Sequence, residues 1–288
     1  MKVGFVNIFG RPNAGKSTLL NALIGEKLAI VSPKVQTTRH RIKGILTTSD
    51  YQVILSDTPG IIEPKYKLHE KMMHAVKGSL EDADVAVLLL DVNDAWDTCD
   101  SIFASLRLSV PSIVAINKID TAPKARQQEA LAFFKTKTYA SGVVLLSALS
   151  GGGVQDLMNA ILLHLPEGEQ FFAEEQLTDL SERFFVAELI REQIFFLFEE
   201  EIPYQATVLV TEFKEKSTLT KIAATIIVQR ETQKAIILGQ GGAMIKKIGM
   251  EARKEIENFI GRKVFLELFV KVRPKWRENE LFLKEYGY

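Results

Sequence analysis

Residues 10–18, "GRPNAGKST", stand between the apolar run "VGFVNIF" (3–9) and the helix-like "STLLNALIG" (17–25). Gly10 and Gly15 enclose four residues and are followed by Lys16 and Ser17, the G-x-x-x-x-G-K-[ST] pattern. Backbone N–H groups of such a loop wrap a phosphate chain, and the helix N-terminus behind it favours the same negative charge. A Gly-rich turn can meet the pattern by chance. A buried strand before it and a helix after it are the context that it requires, and both flanks fit. The stretch predicts strand, phosphate loop and helix in succession, the opening unit of an α/β sheet.

Four further apolar runs follow: "QVILSD" (52–57), "DVAVLLLDV" (84–92), "SIVAINK" (112–118) and "GVVLLSA" (142–148). Their nearly unbroken apolar character predicts strands covered on both faces, as in a mostly parallel sheet with helices on both sides. Ligands of such sheets sit outside the carboxyl ends of the strands, and polar residues follow each run at that end. The helix-like "VQDLMNAILLHL" (154–165) closes this α/β P-loop domain at 1–166. An acidic stretch without periodicity reads as a linker over 167–178. A second domain is expected over 179–288. There "DLSE" (179–182) offers Asp179 as N-cap with Glu182 three residues on, before the apolar helix "RFFVAELIREQIFFLF" (183–198). Alternating segments at 205–215 and 221–231, a glycine-interrupted helical stretch at 234–261 and the strand "KVFLELFVKVR" (263–273) predict a small α+β unit.

The 288 residues are 47% hydrophobic, enough for two ordinary domains. Cys99 is the single cysteine, so no intrachain disulfide forms, which fits a reducing compartment. The N-terminus lacks a secretory pattern, and the strongest apolar run, "VAVLLL" (85–90), is too short for a bilayer. A soluble, cytoplasmic protein is expected. Formal net charge is zero, but basic residues number 18 against 15 acidic over 1–165, 6 against 14 over 166–231 and 12 against 7 over 232–288. The C-terminal segment is therefore where a polyanion would bind.

Within the first loop, Gly10, Arg11, Pro12, Asn13, Ala14, Gly15 and Thr18 are candidate nucleotide contacts. Lys16 would lie along the β and γ phosphates, and the Ser17 hydroxyl would enter the shell of Mg²⁺. "DTPG" (57–60) ends a strand: Asp57 can reach the metal through water, Gly60 N–H can meet a γ phosphate, and Thr58 and Pro59 lie between them. A DxxG turn alone is common, but roughly forty residues after a P-loop it reads as the second metal element. "NKID" (117–120) supplies Asn117, Lys118 and Asp120. The Asp120 carboxylate can accept from guanine N1–H and the exocyclic amine, groups that adenine does not offer, which selects GTP and GDP. "SAL" (147–149), with Ser147, Ala148 and Leu149, ends the last strand where a backbone N–H can reach the guanine oxygen.

The polar loop "VSPKVQTTRHR" (31–41) holds Thr37 and Thr38. One hydroxyl would complete the Mg²⁺ shell when a γ phosphate is present, making the loop a switch, and Thr38 is favoured. Lys16, Thr38 and Gly60 are the catalytic candidates. Arg39 and Arg41 could contact a partner, but as two basic residues on a mobile loop they read as solvated. Ile61 occupies the position where Ras-like GTPases carry a water-orienting Gln, so slow intrinsic hydrolysis is expected. Asn13 is open to two readings, a turn residue or, as in P-loops of potassium-stimulated GTPases, a helper in holding K⁺.

"IILGQGGAMIKKIG" (236–249) places Gly239, Gln240, Gly241 and Gly242 before a basic helix. Such a loop can clamp the backbone of single-stranded RNA. Ile245, Ile248, Ala252 and Ile256 share a core face at helical spacing, with Lys246, Lys247, Arg253 and Lys254 elsewhere. Lys271, Arg273, Lys275 and Trp276 follow in the tail, Trp276 either stacking on a base or capping the core.

With "GRPNAGKSTLLNAL", "QTTRHRI", "DTPGI", "NKID", "SAL", "LGQGGAMIKKIG" and "LELFVKVRPKW" in this order, the chain resembles the Era family of bacterial ribosome-assembly GTPases over essentially its whole length. The resemblance implies a type II KH domain, GTP-dependent binding to the 3′ end of 16S rRNA in the maturing small ribosomal subunit, and peripheral association with the inner membrane. No obligate protein partner is inferred. "GQGGAMI" departs from KH loops that carry a basic residue between the outer glycines, so phosphate contact would lean on Lys246 and Lys247. Competing readings are a P-loop kinase or ATPase with a fortuitous "NKID", a scaffold that holds GTP without cleaving it, and a second domain that binds protein.

Overall fold

In the computed structural model, which describes residues 1–288, the opening apolar run is β1 (Lys2–Gly10), and its glycine loop leads into α1 (Lys16–Ile24). There follow β2 (Ile42–Thr47), β3 (Tyr51–Asp57), α2 (Lys67–Glu81), β4 (Val85–Asp91), α3 (Trp96–Ser105), β5 (Ser112–Asn117), α4 (Lys124–Lys135), β6 (Gly142–Leu145) and α5 (Val154–His164). The strands form one sheet in the order β2-β3-β1-β4-β5-β6, parallel throughout except for β2, which runs antiparallel to β3. All five expected runs are strands. The sequence reading did not include β2, because Lys43 and Gly44 interrupt its apolar pattern. A Cβ on Gly44 would lie 2.8 Å from Ile24 Cγ1, so the glycine lets β2 pass close to α1.

Phe9, Ala86, Leu88, Leu90, Val114 and Ile116 of the central strands meet Phe103 of α3 and Phe134 of α4 in one fully buried cluster. Each of the Phe, Leu, Val and Ile side chains contributes about 1.5–3 kcal/mol of transfer free energy. Register pairs Ile8 with Asp57, Gly10 with Leu89 and Asp91 with Asn117, so the carboxyl ends of four strands finish in one row. That row carries the motifs.

The segment expected as a linker is hydrogen-bonded along the β2–β3 side of the sheet. The buried Gln52 accepts from Phe171 N (2.8 Å) and Phe172 N (3.1 Å) and donates to Phe172 O (2.8 Å). Ile45 N donates to Leu177 O at 2.8 Å. Residues 1–63 and 72–179 group as one unit and residues 64–71 and 180–288 as another.

The second unit contains α6 (Glu182–Leu197), α7 (Ile202–Gln205), β7 (Thr207–Glu215), β8 (Thr220–Val228), α8 (Glu231–Leu238), α9 (Ala243–Ile260), β9 (Val264–Val272) and α10 (Glu280–Glu285). Its sheet has the order β7-β8-β9, with β7 antiparallel and β9 parallel to β8. Ser181, not Asp179, caps α6 by accepting from Phe184 N. Asp179 instead pairs with Lys43 at 3.0 Å. On α9, Ile248, Ala252 and Ile256 are fully buried, whereas Ile245 is half-buried at the edge. Trp276 is fully buried and donates from Nε1 to Gln205 O at 2.9 Å, with Tyr286 and Tyr288 against its ring. Trp276 is therefore a core cap, and the base-stacking alternative is overturned. No helix is long and apolar enough to cross a membrane.

Candidate functional site

At the end of β1 the chain turns sharply. Asn13 (φ 64) and Gly15 (φ 98) both take left-handed backbone conformations, and a Cβ on Gly15 would strike the Asn117 amide. That amide is the knot of the site: Asn117 Nδ2 donates to Ala14 O at 2.8 Å and its Oδ1 accepts from Ala148 N at 2.9 Å. One buried side chain thus joins three loops that lie more than thirty residues apart in sequence. Ser147 is buried, Leu149 is 83% exposed and Asp120 is exposed.

The loops enclose a cavity of about 320 Å³ whose wall includes Pro12, Asn13, Gly15–Thr18, Thr38, Gly60 and Lys118. Lys16 is buried on its floor, with Nζ donating to Gly10 O (3.2 Å) and Arg11 O (2.9 Å). Burial pushes its pKa down from 10.5 to about 8, with the Asp57 charge opposing. A desolvated cation at the mouth of a helix makes this cavity an anion site. Gly60 lies against the loop: a Cβ there would fall 2.8 Å from Pro12 N. Ile61 N donates to Gly10 O at 3.2 Å, and the Ile61 side chain packs on the core cluster. Thr58 Oγ1 donates to Ile8 O at 2.8 Å, holding the strand end rather than facing the cavity.

Three oxygens converge beside Lys16. Ser17 Oγ lies 2.7 Å from Thr38 Oγ1 and donates to Asp57 Oδ2 at 2.5 Å, and Thr38 Oγ1 donates to the same oxygen at 3.1 Å. Burial raises the Asp57 pKa, with Lys16 and the two hydroxyls pulling it back, and Asp57 Oδ1 is buried without a partner. Two hydroxyls and a buried, half-satisfied carboxylate suit a small hard cation such as Mg²⁺. Thr37 also lines the cavity, but its hydroxyl donates to Lys34 O at 2.7 Å instead of joining these oxygens. Asn13 Nδ2 donates to Pro33 O at 2.9 Å, tying the phosphate loop to the switch segment.

Arg39 and Arg41 are not solvated. Arg39 is 2% exposed, and Arg41 makes a bidentate pair with Asp82 (2.6 and 3.0 Å) while donating to Ser56 Oγ (3.1 Å) and Asn7 Oδ1 (3.2 Å). The rigid guanidinium fork finds acceptors from β1, β3 and the segment after α2, contacts that a reading along the chain does not reveal.

In the second unit, Gly239, Gly241 and Gly242 all have positive φ (69, 59 and 79), and Gln240 is exposed. A Cβ on Gly239 would fall 2.7 Å from Met244 Cβ, so this turn onto α9 requires glycine. Beyond it, a groove of about 330 Å³ between α9 and β9 is lined by Ile245, Lys246, Gly249, Met250, Arg253, Phe265, Leu266 and Leu268. Lys247 and Lys271 are exposed without lining it, and Arg273 is half-buried with its guanidinium 5.5 Å from the Phe282 ring. The sequence reading missed the apolar wall. Its signal is the half-exposed Met250 and Phe265, large side chains left uncovered beside two cations.

The family model for the 50S ribosome-binding GTPase matches residues 5–118, and that for the KH domain matches residues 201–277. The GTPase Era of Caldanaerobacter subterraneus subsp. tengcongensis is 44% identical over 291 positions, covering 100% of this chain and 98% of that protein. A crystal structure of Era in complex with MgGDPNP and nucleotides 1506–1542 of 16S ribosomal RNA superposes with a TM-score of 0.96 at 41% identity, covering 100% of this chain and 99% of the other. A variant of Aquifex aeolicus Era bound to GDP and AlF4⁻ matches with the same TM-score, identity and coverage.

Proposed function

Since the chain belongs to the Era family of GTPases, we propose that it is a GTP-driven switch whose output is engagement of the 3′ end of 16S rRNA during small-subunit assembly. The observation that carries this reading is the pairing, in one chain, of the anion cavity around Lys16 with a cationic, apolar-walled groove behind a positive-φ glycine turn. Bases of single-stranded RNA fit such a wall while their phosphates meet Lys246 and Arg253. The relative solved with 16S rRNA nucleotides has this architecture over its full length.

In this reading the GTPase domain spans 1–166, a connecting strap 167–178, and the KH domain with its tail 179–288. Ser17, Thr38 and Asp57 would hold Mg²⁺, which when bound neutralises charge on the β and γ phosphates. Lys16 exchanges the carbonyls of Gly10 and Arg11 for phosphate oxygens. Gly60 N–H meets the γ phosphate, Thr38 orders the switch segment only while that phosphate is present, and Asp120 reads guanine. Ile61 orients no water, so turnover is slow until a partner, a rearranged switch or a K⁺ ion near Asn13 assists. We further place the protein in the cytoplasm, with peripheral attachment to the inner membrane as in the family it resembles; flotation with anionic vesicles tests the attachment.

The deciding experiment is binding of labelled RNA matching the 3′ end of 16S rRNA, against a scrambled RNA, by protein carrying a GTP analogue. The Gln240→Asp, Gly241→Asp double variant sets two carboxylates at the clamp and is expected to weaken the ribosomal sequence roughly 10- to 100-fold. Equal binding of both RNAs by both proteins removes the RNA clamp and leaves the GTPase standing. Equal affinity in the GTP and GDP states removes the coupling alone.

A further inference from the structure

From Asp91 at the end of β4 the chain passes through "DVND" (91–94) towards α3, a stretch that belongs to none of the four nucleotide motifs. It is nevertheless bonded to two of them. Asp91 Oδ2 pairs with Lys118 Nζ at 2.8 Å, Asn93 Nδ2 donates to Thr121 Oγ1 at 2.9 Å, and Asp94 Oδ1 lies 3.6 Å from Arg11 Nη1. The loop is braced from behind. Arg126 of α4 donates to Val92 O (3.3 Å) and Asp94 O (3.2 Å), and its guanidinium lies 3.6 Å from the centroid of Trp96, whose Nε1 also donates to Val92 O (3.1 Å). Its first residue also stays in register, since Asp91 pairs with Asn117 across β4 and β5.

We propose that Asp91 is a positioning residue for guanine-nucleotide binding, acting through Lys118. Lys118 has left-handed backbone (φ 60) and lines the nucleotide cavity, so its long stem forms part of the wall on the base-loop side. A lysine stem is flexible, and ordering it when the ligand arrives would cost affinity. The Asp91 carboxylate, 20% exposed and fixed by the braced loop, holds the ammonium beforehand. Asp91 Oδ1 meanwhile accepts from Asn93 N at 2.9 Å, so the same side chain shapes its own loop. The two tasks fall on different oxygens, which allows them to be separated.

This inference rests on assigning residues 117–120 to the base. The test is GDP affinity and dissociation rate for the full chain, its Asp91→Asn and Lys118→Ala variants, and the double variant, with the thermal midpoint of each nucleotide-free protein alongside. Asp91→Asn keeps an oxygen for Asn93 N and removes the charge that holds Lys118. The expected result is an unchanged midpoint and a Kd for GDP raised about fivefold to tenfold, mainly through faster dissociation, for Asp91→Asn. In the Lys118→Ala background the same substitution is expected to add nothing, because the side chain it acts through is gone. Wild-type affinity in Asp91→Asn, or a loss that adds fully to that of Lys118→Ala, overturns the positioning role and leaves the base loop in place. Wild-type affinity in Lys118→Ala overturns both. Asp91→Glu, which restores the charge at a longer reach, is expected to recover part of the affinity; no recovery counts against the charge as the cause.

Discussion

Lys16→Met is expected to lower kcat/KM for GTP by at least about a thousandfold while making the nucleotide-free protein more stable. The loss follows from geometry. Lys16 is the buried cation on the cavity floor, and a neutral stem of similar length leaves the transferred charge without its main counter-charge there. The gain follows from burial. A lysine held at about 8 instead of 10.5 is less comfortable as an ammonium in the folded chain than in the unfolded one. Because the folded pKa is depressed, that cost is fully present below pH 8 and fades towards pH 10.5, where the unfolded lysine also loses its proton. Its size at pH 7 is on the order of 3 kcal/mol. Phosphate release and fluorescent GDP binding measure the first effect; thermal midpoints with and without GDP measure the second. A variant less stable than the wild type without nucleotide would mean that Lys16 holds the loop together rather than waiting for an anion.

Trp276→Ala is expected to destabilise the second unit by about 3–5 kcal/mol, the cost of emptying a fully buried aromatic site. The ring touches Tyr286 and Tyr288 and its N–H ends on Gln205 O, so the change opens a cavity and orphans a carbonyl. Trp276→Phe keeps most of the volume and loses the hydrogen bond, and about 1–2 kcal/mol is expected. Urea unfolding of the full chain measures both. RNA affinity of the Phe variant, taken well below its midpoint, is expected to match the wild type; a tenfold loss there would mean that the Trp276–Gln205 bond also shapes the RNA-binding face.

The contrast between these two residues marks what a sequence discloses. Lys16 was legible because its role depends on neighbours in the chain: two glycines, a strand before and a helix after. The parallel strands were legible for a similar reason, since burial on both faces leaves an unbroken apolar run. β2 escaped because an edge strand that packs through a glycine loses that run. Arg41, Asp91 and the groove wall of Met250 and Phe265 escaped because their meaning lies in what the sheet register and helix packing set beside them. The cap of α6 shows the same limit at short range. Both Asp179 and Ser181 can cap a helix, and the lysine on β2 that claims Asp179 lies 136 residues away.

Anyone preparing the GTPase part as a separate fragment meets the strap at once. Termination at residue 166 deletes the Phe171 and Phe172 partners of the buried Gln52 amide, leaving it only Thr47 Oγ1, along with the carbonyl that receives Ile45 N, and takes away Phe171, whose ring lies 5.1 Å from that of Phe5. The bare flank of β2 would then offer unpaired backbone groups to any second copy in the tube, an invitation to strand addition. Termination after Asp179 retains the covering segment and its pairing to Lys43, so the useful cut lies thirteen residues beyond the point where the apolar pattern runs out.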